Sequence, residues 1–134
     1  MMRFVCALGL LVATGAQATP FCDSLLSVSD NTRFDLPGTD SAGLCIRSLT
    51  ISGGAQLHCR WPFAYRTTDA TVAFHALRGA VAQCLNVAPQ MDFPVNHPDF
   101  YDLRMFHTAR QDIGVSIKDK AALQQTYVFL RVSL

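Results

Sequence analysis

The side chains best suited to chemistry in this chain are five cysteines, four histidines and ten acids, every one of the acids an aspartate. Nucleophilic catalysis by cysteine needs a free thiolate beside a base, and a metal needs three or four ligands that converge. The histidines, His58, His75, His97 and His107, are scattered and form no His-x-x-x-His pair. Most aspartates, Asp30, Asp35, Asp40, Asp92, Asp99, Asp112 and Asp119 among them, fall in stretches that read as loops or strand ends, where carboxylates satisfy turn backbone. There is no Gly-x-Ser-x-Gly elbow, phosphate-binding glycine loop or dinucleotide fingerprint. The sequence therefore predicts no catalytic residue, no metal site and no cofactor. The acid–base alternative is a small exported hydrolase using His58 or His107 with an aspartate such as Asp102.

The cysteines make more sense as staples. Met1 to Arg3 give a short basic start, Phe4 to Val12 an apolar run, and Ala16-Gln17-Ala18 a small-x-small cleavage pattern. Residues 1–18 are read as a cleaved signal peptide and 19–134 as one disulfide-stabilised domain. Cys6 leaves with the leader, so Cys22, Cys45, Cys59 and Cys84 remain in an oxidising compartment, periplasmic or extracellular. Spacing alone leaves three connectivities open; the strand and helix positions below favour Cys45–Cys59 and Cys22–Cys84. The leader's apolar run is too short to cross a bilayer, and no later stretch is long enough, so no membrane span is expected.

Without Arg3, ten Lys and Arg balance ten Asp, and nine of the eleven basic residues of the whole chain are arginine. A neutral domain without a clear basic stripe argues against nucleic acid as the partner.

The elements that must position these groups follow from periodicity. Pro20 to Ser29 has helical spacing with proline in the first turn, and Asp30 to Gly43 is rich in turn formers. Leu44 to Ile51 and Leu57 to Arg66 flank Ser52-Gly53-Gly54, a hairpin signal, and Leu57, Cys59, Trp61, Phe63 and Tyr65 mark the buried face of the second strand. Cys45 shares that face by parity. Thr67-Thr68-Asp69 caps a helix to Leu85, with Ala70, Phe74, Leu77, Val81 and Cys84 on one side, ended by Asn86 and Pro89. Asn86 to Phe100 reads as a loop. Asp102 to Thr108, Ile113 to Ile117 and Thr126 to Val132 alternate as a three-stranded meander, with Lys118 to Ala122 as a connection. The expected fold is α+β: a small antiparallel sheet of about five strands packed on one long helix, with a short N-terminal helix and two disulfides.

In that arrangement Leu103, Met105 and His107 face the core. Arg60, Arg66, Arg104, Phe106, Tyr127, Phe129, Arg131 and His58 point away from the long helix. Arginine interleaved with aromatic side chains is the composition of interaction surfaces, because rigid rings bury area at low entropy cost and guanidinium makes forked hydrogen bonds. Arg60, Arg104, Phe106, Tyr127, Phe129 and Arg131 are the expected binding residues. The function expected is a non-enzymatic protein-binding module of the bacterial envelope or exterior, of the inhibitor, immunity or adaptor type. Its partner would be another exported or envelope protein. Besides the hydrolase, the alternative is a binder of a small anionic ligand held by the arginines.

Overall fold

The structure, a computed structural model, describes residues 20–91 and 101–134. The segment read as a signal peptide and residues 92–100 of the stretch read as a loop lie outside the described residues. The element order is α1 (Pro20–Leu26), β1 (Leu44–Leu49), β2 (Ala55–Ala64), α2 (Thr68–Leu85), β3 (Gln90–Met91), β4 (Tyr101–His107), β5 (Asp112–Lys120), a 3-10 turn (Ala121–Leu123) and β6 (Gln125–Ser133). The strands form one antiparallel sheet in the order β1-β2-β6-β5-β4-β3. The fold is therefore the expected α+β arrangement, five main strands against one long helix, with a two-residue sixth strand inside the stretch read as a loop.

α2 begins where Thr67, in extended backbone, accepts a hydrogen bond on its hydroxyl from the Ala70 N–H, one of the donors a helix start leaves unpaired. It ends at Asn86, whose left-handed backbone (φ 52°) suits a helix C-cap. Ala70, Phe74, Leu77 and Val81 recur along one side and are buried against the sheet. Opposite them lie Leu57, Cys59 and Trp61 of β2, Val128, Leu130 and Val132 of β6, and Ile113, Val115 and Ile117 of β5. Leu25 of α1 and Phe34 and Leu36 of the following segment complete this core on the same side. Trp61 anchors that segment: its indole N–H donates to the Ser41 carbonyl at 3.0 Å, and its ring sits where a Cβ on Gly43 would approach to 2.7 Å. Only glycine lets the chain pass so close to the ring.

Both disulfides have the favoured pairing. Cys22–Cys84 joins α1 to the end of α2 across 62 residues of sequence, and Cys45–Cys59 joins β1 to β2 across 14.

Three local expectations change. β5 runs on to Lys120, and Asp119, expected to serve a turn, is buried within it. Its Oδ1 accepts from the Thr126 hydroxyl at 2.6 Å and its Oδ2 from Arg66 Nε at 2.8 Å, while the Arg66 backbone N–H donates to Thr126 Oγ1. The carboxylate thus ties the β2–α2 corner to β5 and β6, and Arg66, expected on the open face, is held at that corner with a positive φ of 56°. The third change concerns β4. Its register sets Phe106 opposite Ile113 and Arg104 opposite Val115, so Asp102, Arg104 and Phe106 face α2 and Leu103, Met105 and His107 face away. Apolar side chains occupy both phases of this strand, so alternation alone could not choose, and pairing with β5 decides.

Because a crosslink stabilises chiefly by restricting the unfolded chain, the longer loop should count for more, about 4 kcal/mol for Cys22–Cys84 against about 3 kcal/mol for Cys45–Cys59. In urea titrations of the two double-alanine variants, the Cys22/Cys84 pair is expected to show the larger loss of stability, by about 1 kcal/mol.

Candidate functional site

α1, α2 and the 27–43 segment all pack on one side of the sheet. The other side is built from alternate residues of each strand: Leu44, Ile46 and Ser48 of β1, His58, Arg60 and Pro62 of β2, Tyr127, Phe129 and Arg131 of β6, Gly114, Ser116, Lys118 and Lys120 of β5, and Leu103, Met105 and His107 of β4.

Of the expected binding residues, the structure brings Arg60, Tyr127, Phe129 and Arg131 together here. Arg104 and Phe106 are a correction. Phe106 is fully buried in the core beneath α2, and Arg104 lies on that same side, its Nε 2.8 Å from Asp102 Oδ1. In their place the face gains Lys118, Lys120 and Met105, which parity reasoning had sent to a connection and to the core.

The centre of the face is an aromatic row. The His58 and Phe129 rings are 5.2 Å apart, and Phe129 and Tyr127 stack at 5.8 Å. Arg60 and Lys120 each lie over the Tyr127 ring at 5.7 Å, and Lys118 lies over Tyr101 at 5.8 Å. The Tyr127 hydroxyl donates to Gln125 Oε1. Arg131 reaches across Gly114, its Nη2 3.8 Å from Met105 Sδ. A Cβ at Gly114 would come within 3.1 Å of that sulfur, so glycine keeps this path open.

The charge distribution is as uneven as the composition is balanced. Among the described residues Arg60, Lys118, Lys120 and Arg131 form no ion pair, and the one aspartate at a strand position facing this side is Asp112, at its far end, paired with His107 at 2.7 Å. Asp30, Asp102 and Asp119 are paired elsewhere, with Arg47, Arg104 and Arg66. Burial first, then the adjacent Arg131 and Arg60, hold the His58 imidazole below its ordinary pKa of 6.5. The face thus carries four cations that form no ion pair among the described residues, three of them over tyrosine rings, with a neutral histidine among them.

Of the acid–base groups considered, the aspartate that meets a histidine is Asp112, beside His107, and not Asp102. Asp102 faces α2 and is held by Arg104, whereas His58 and His107 face the other side. Among the described residues no group of three or more His, Cys or Asp side chains could hold a metal, and no helix is long and apolar enough to cross a membrane. A groove of about 830 Å³ runs beside the Cys22–Cys84 bridge, lined by Phe21, Phe34, Leu36, Pro37 and Ala80 with Arg33 and Asp35 at its wall. Its lining among the described residues holds no histidine, and its two cysteines are joined in the disulfide. No family model, curated protein or solved structure matches this chain.

Two measurements check this geometry. Phe106→Ala should cost about 3–5 kcal/mol in denaturant unfolding, the range for emptying a core aromatic site. Phe129→Ala, on the partly exposed face, should cost about 1 kcal/mol. Since His58 has a lower pKa folded than unfolded, the unfolded chain takes up its proton first, and stability falls as pH drops through about 6.5. His58→Gln should lose less stability than the parent protein between neutral pH and about pH 5, by thermal unfolding in a pH series.

Proposed function

We propose that this chain is an exported, non-enzymatic protein-binding module of the bacterial envelope or exterior, of the inhibitor, immunity or adaptor type, and that it engages another exported protein through the open face of its sheet. The observation that carries the reading is the row His58, Phe129, Tyr127 flanked by Arg60, Arg131, Lys118 and Lys120, on the side away from both helices. The Tyr127 ring, held between two cations, loses little freedom on binding, and cations without ion-pair partners among the described residues ask for carboxylates on the other side. The leader-like start of the sequence and the two disulfides support an oxidising compartment. The same cations favour a second reading, a small anionic ligand, which the aromatic row does not require.

The test immobilises the disulfide-intact protein and exposes it to envelope and culture-supernatant extracts, beside a Phe129→Asp/Arg131→Asp variant shown by circular dichroism to be folded. The expected result is a protein retained by the parent, lost by the variant and released by rising salt. Equal retention by the variant would overturn the use of this face, and no retention at low salt would overturn the binding reading. Salt-sensitive thermal stabilisation by citrate or phosphate, with nothing retained, would establish the small-anion alternative.

A further inference from the structure

β1 heads the strand order, so one of its sides is a sheet edge. At the hairpin end, the Thr50 N–H donates to the Gly54 carbonyl at 2.7 Å, which makes Thr50 and Gly54 a hydrogen-bonded pair. Antiparallel ladders alternate, so Ser48, Ile46 and Leu44 also turn their backbone groups towards β2, and Cys45, Arg47 and Leu49 turn theirs outward. Among the described residues no backbone or side-chain group bonds to those outward N–H and C=O groups.

The side chains point the same way. Leu44, Ile46 and Leu49 are 58%, 59% and 71% exposed, and Ile51 at the turn is fully exposed. Leu44 and Ile46 lie on the open face and Leu49 on the other, so this edge strand exposes apolar side chains on both sides. The usual protections are missing. β1 has no proline, and its one charge, Arg47, at a core-side position opposite Leu57, is already paired with Asp30 at 3.0 Å. The Cys45–Cys59 bridge fixes β1 to β2, so the edge is a preformed template.

We propose that β1 pairs antiparallel with β1 of a second copy of this chain about a two-fold axis, making one continuous sheet through both molecules. Backbone groups in a row are satisfied by another polypeptide strand, and a strand that is apolar on both faces complements itself. The register follows from charge and shape. An axis at Arg47 would set two guanidinium groups directly opposite, which is unfavourable. An axis at Ile46 sets Ile46 against its symmetry mate in a close, non-hydrogen-bonded pair and Leu44 against Ser48, while Cys45 and Arg47 exchange their outward hydrogen bonds across the interface.

Sedimentation equilibrium of the disulfide-intact protein, in a series reaching about 100 μM, is expected to give a monomer–dimer equilibrium. Ile46→Lys should shift it to monomer, and Phe129→Asp, on the same face but away from the edge, should leave it unchanged. Hydrogen exchange of the parent protein guards against a misfolded variant: the Cys45 and Arg47 amides should slow at least about tenfold from the most dilute to the most concentrated sample, with β6 amides constant. A monomer at every concentration, or a dimer that survives Ile46→Lys with unchanged exchange at Cys45 and Arg47, would overturn the proposal. The first of those outcomes leaves the edge to a strand from a different protein.

Discussion

The long ladder between β2 and β6 decides what each side of this molecule is. Its register sets Leu57 opposite Val132, Cys59 opposite Leu130 and Trp61 opposite Val128, and those six side chains are the floor on which α2 lies. The alternation that sends them inward sends His58, Arg60, Tyr127, Phe129 and Arg131 outward. A slip of one residue in either strand would bury arginine and expose leucine, so the register is held by the whole apolar set at once. The open face is therefore a consequence of the core and needs no separate folding signal.

That dependence explains what could be read from the sequence. In β2 apolar and polar residues alternate without conflict, and in β6 the aliphatic Val128, Leu130 and Val132 share one phase, so the positions of Arg60, Tyr127, Phe129 and Arg131 were legible. The cysteine pairing was legible for the same reason, since Cys45 and Cys59 share parity on adjacent strands. In β4 the signal cancels: Leu103 and Met105 argue for one phase, Phe106 for the other, and the choice is made by Ile113 and Val115 on a neighbouring strand. Arg104 and Phe106 were misplaced there. Asp119 was missed because its partners, Thr126 and Arg66, are 7 and 53 residues away in sequence, and a buried carboxylate looks like a turn aspartate until those partners converge. β3 has two residues, too short for any period to show.

Composition hid the electrostatics. A chain whose charges cancel argues against an anionic partner when charge is treated as a sum, yet the sheet separates the signs. Asp102 and Asp119 take core-side strand positions beside Arg104 and Arg66, and Asp30 pairs with Arg47, so these acids are matched locally and contribute little field on the far side. Arg60, Arg131, Lys118 and Lys120 have no such partners among the described residues. Burial is the largest cause of the lowered His58 pKa, and Arg131 and Arg60, next in order, add the effect of this local potential. Salt would screen this field over about 8–10 Å, comparable to two strand spacings, so it acts on groups that dock and little on those at a distance.

Edge and face also constrain each other. Ile46 sits beside His58 in the β1–β2 register, so a second copy joined at Ile46 would extend the open face without covering the aromatic row on β6. From β6 of one copy to β6 of the other there are five strand steps, about 24 Å at the usual spacing. Twist of about 20–25° at each step would turn the two rows some 100–125° away from each other. The paired molecules would then present two self-contained sites aimed in different directions, and no single wide surface. A dimeric partner would gain from joining the two sites only if its own sites diverged as widely, because that gain depends on both being reachable at once.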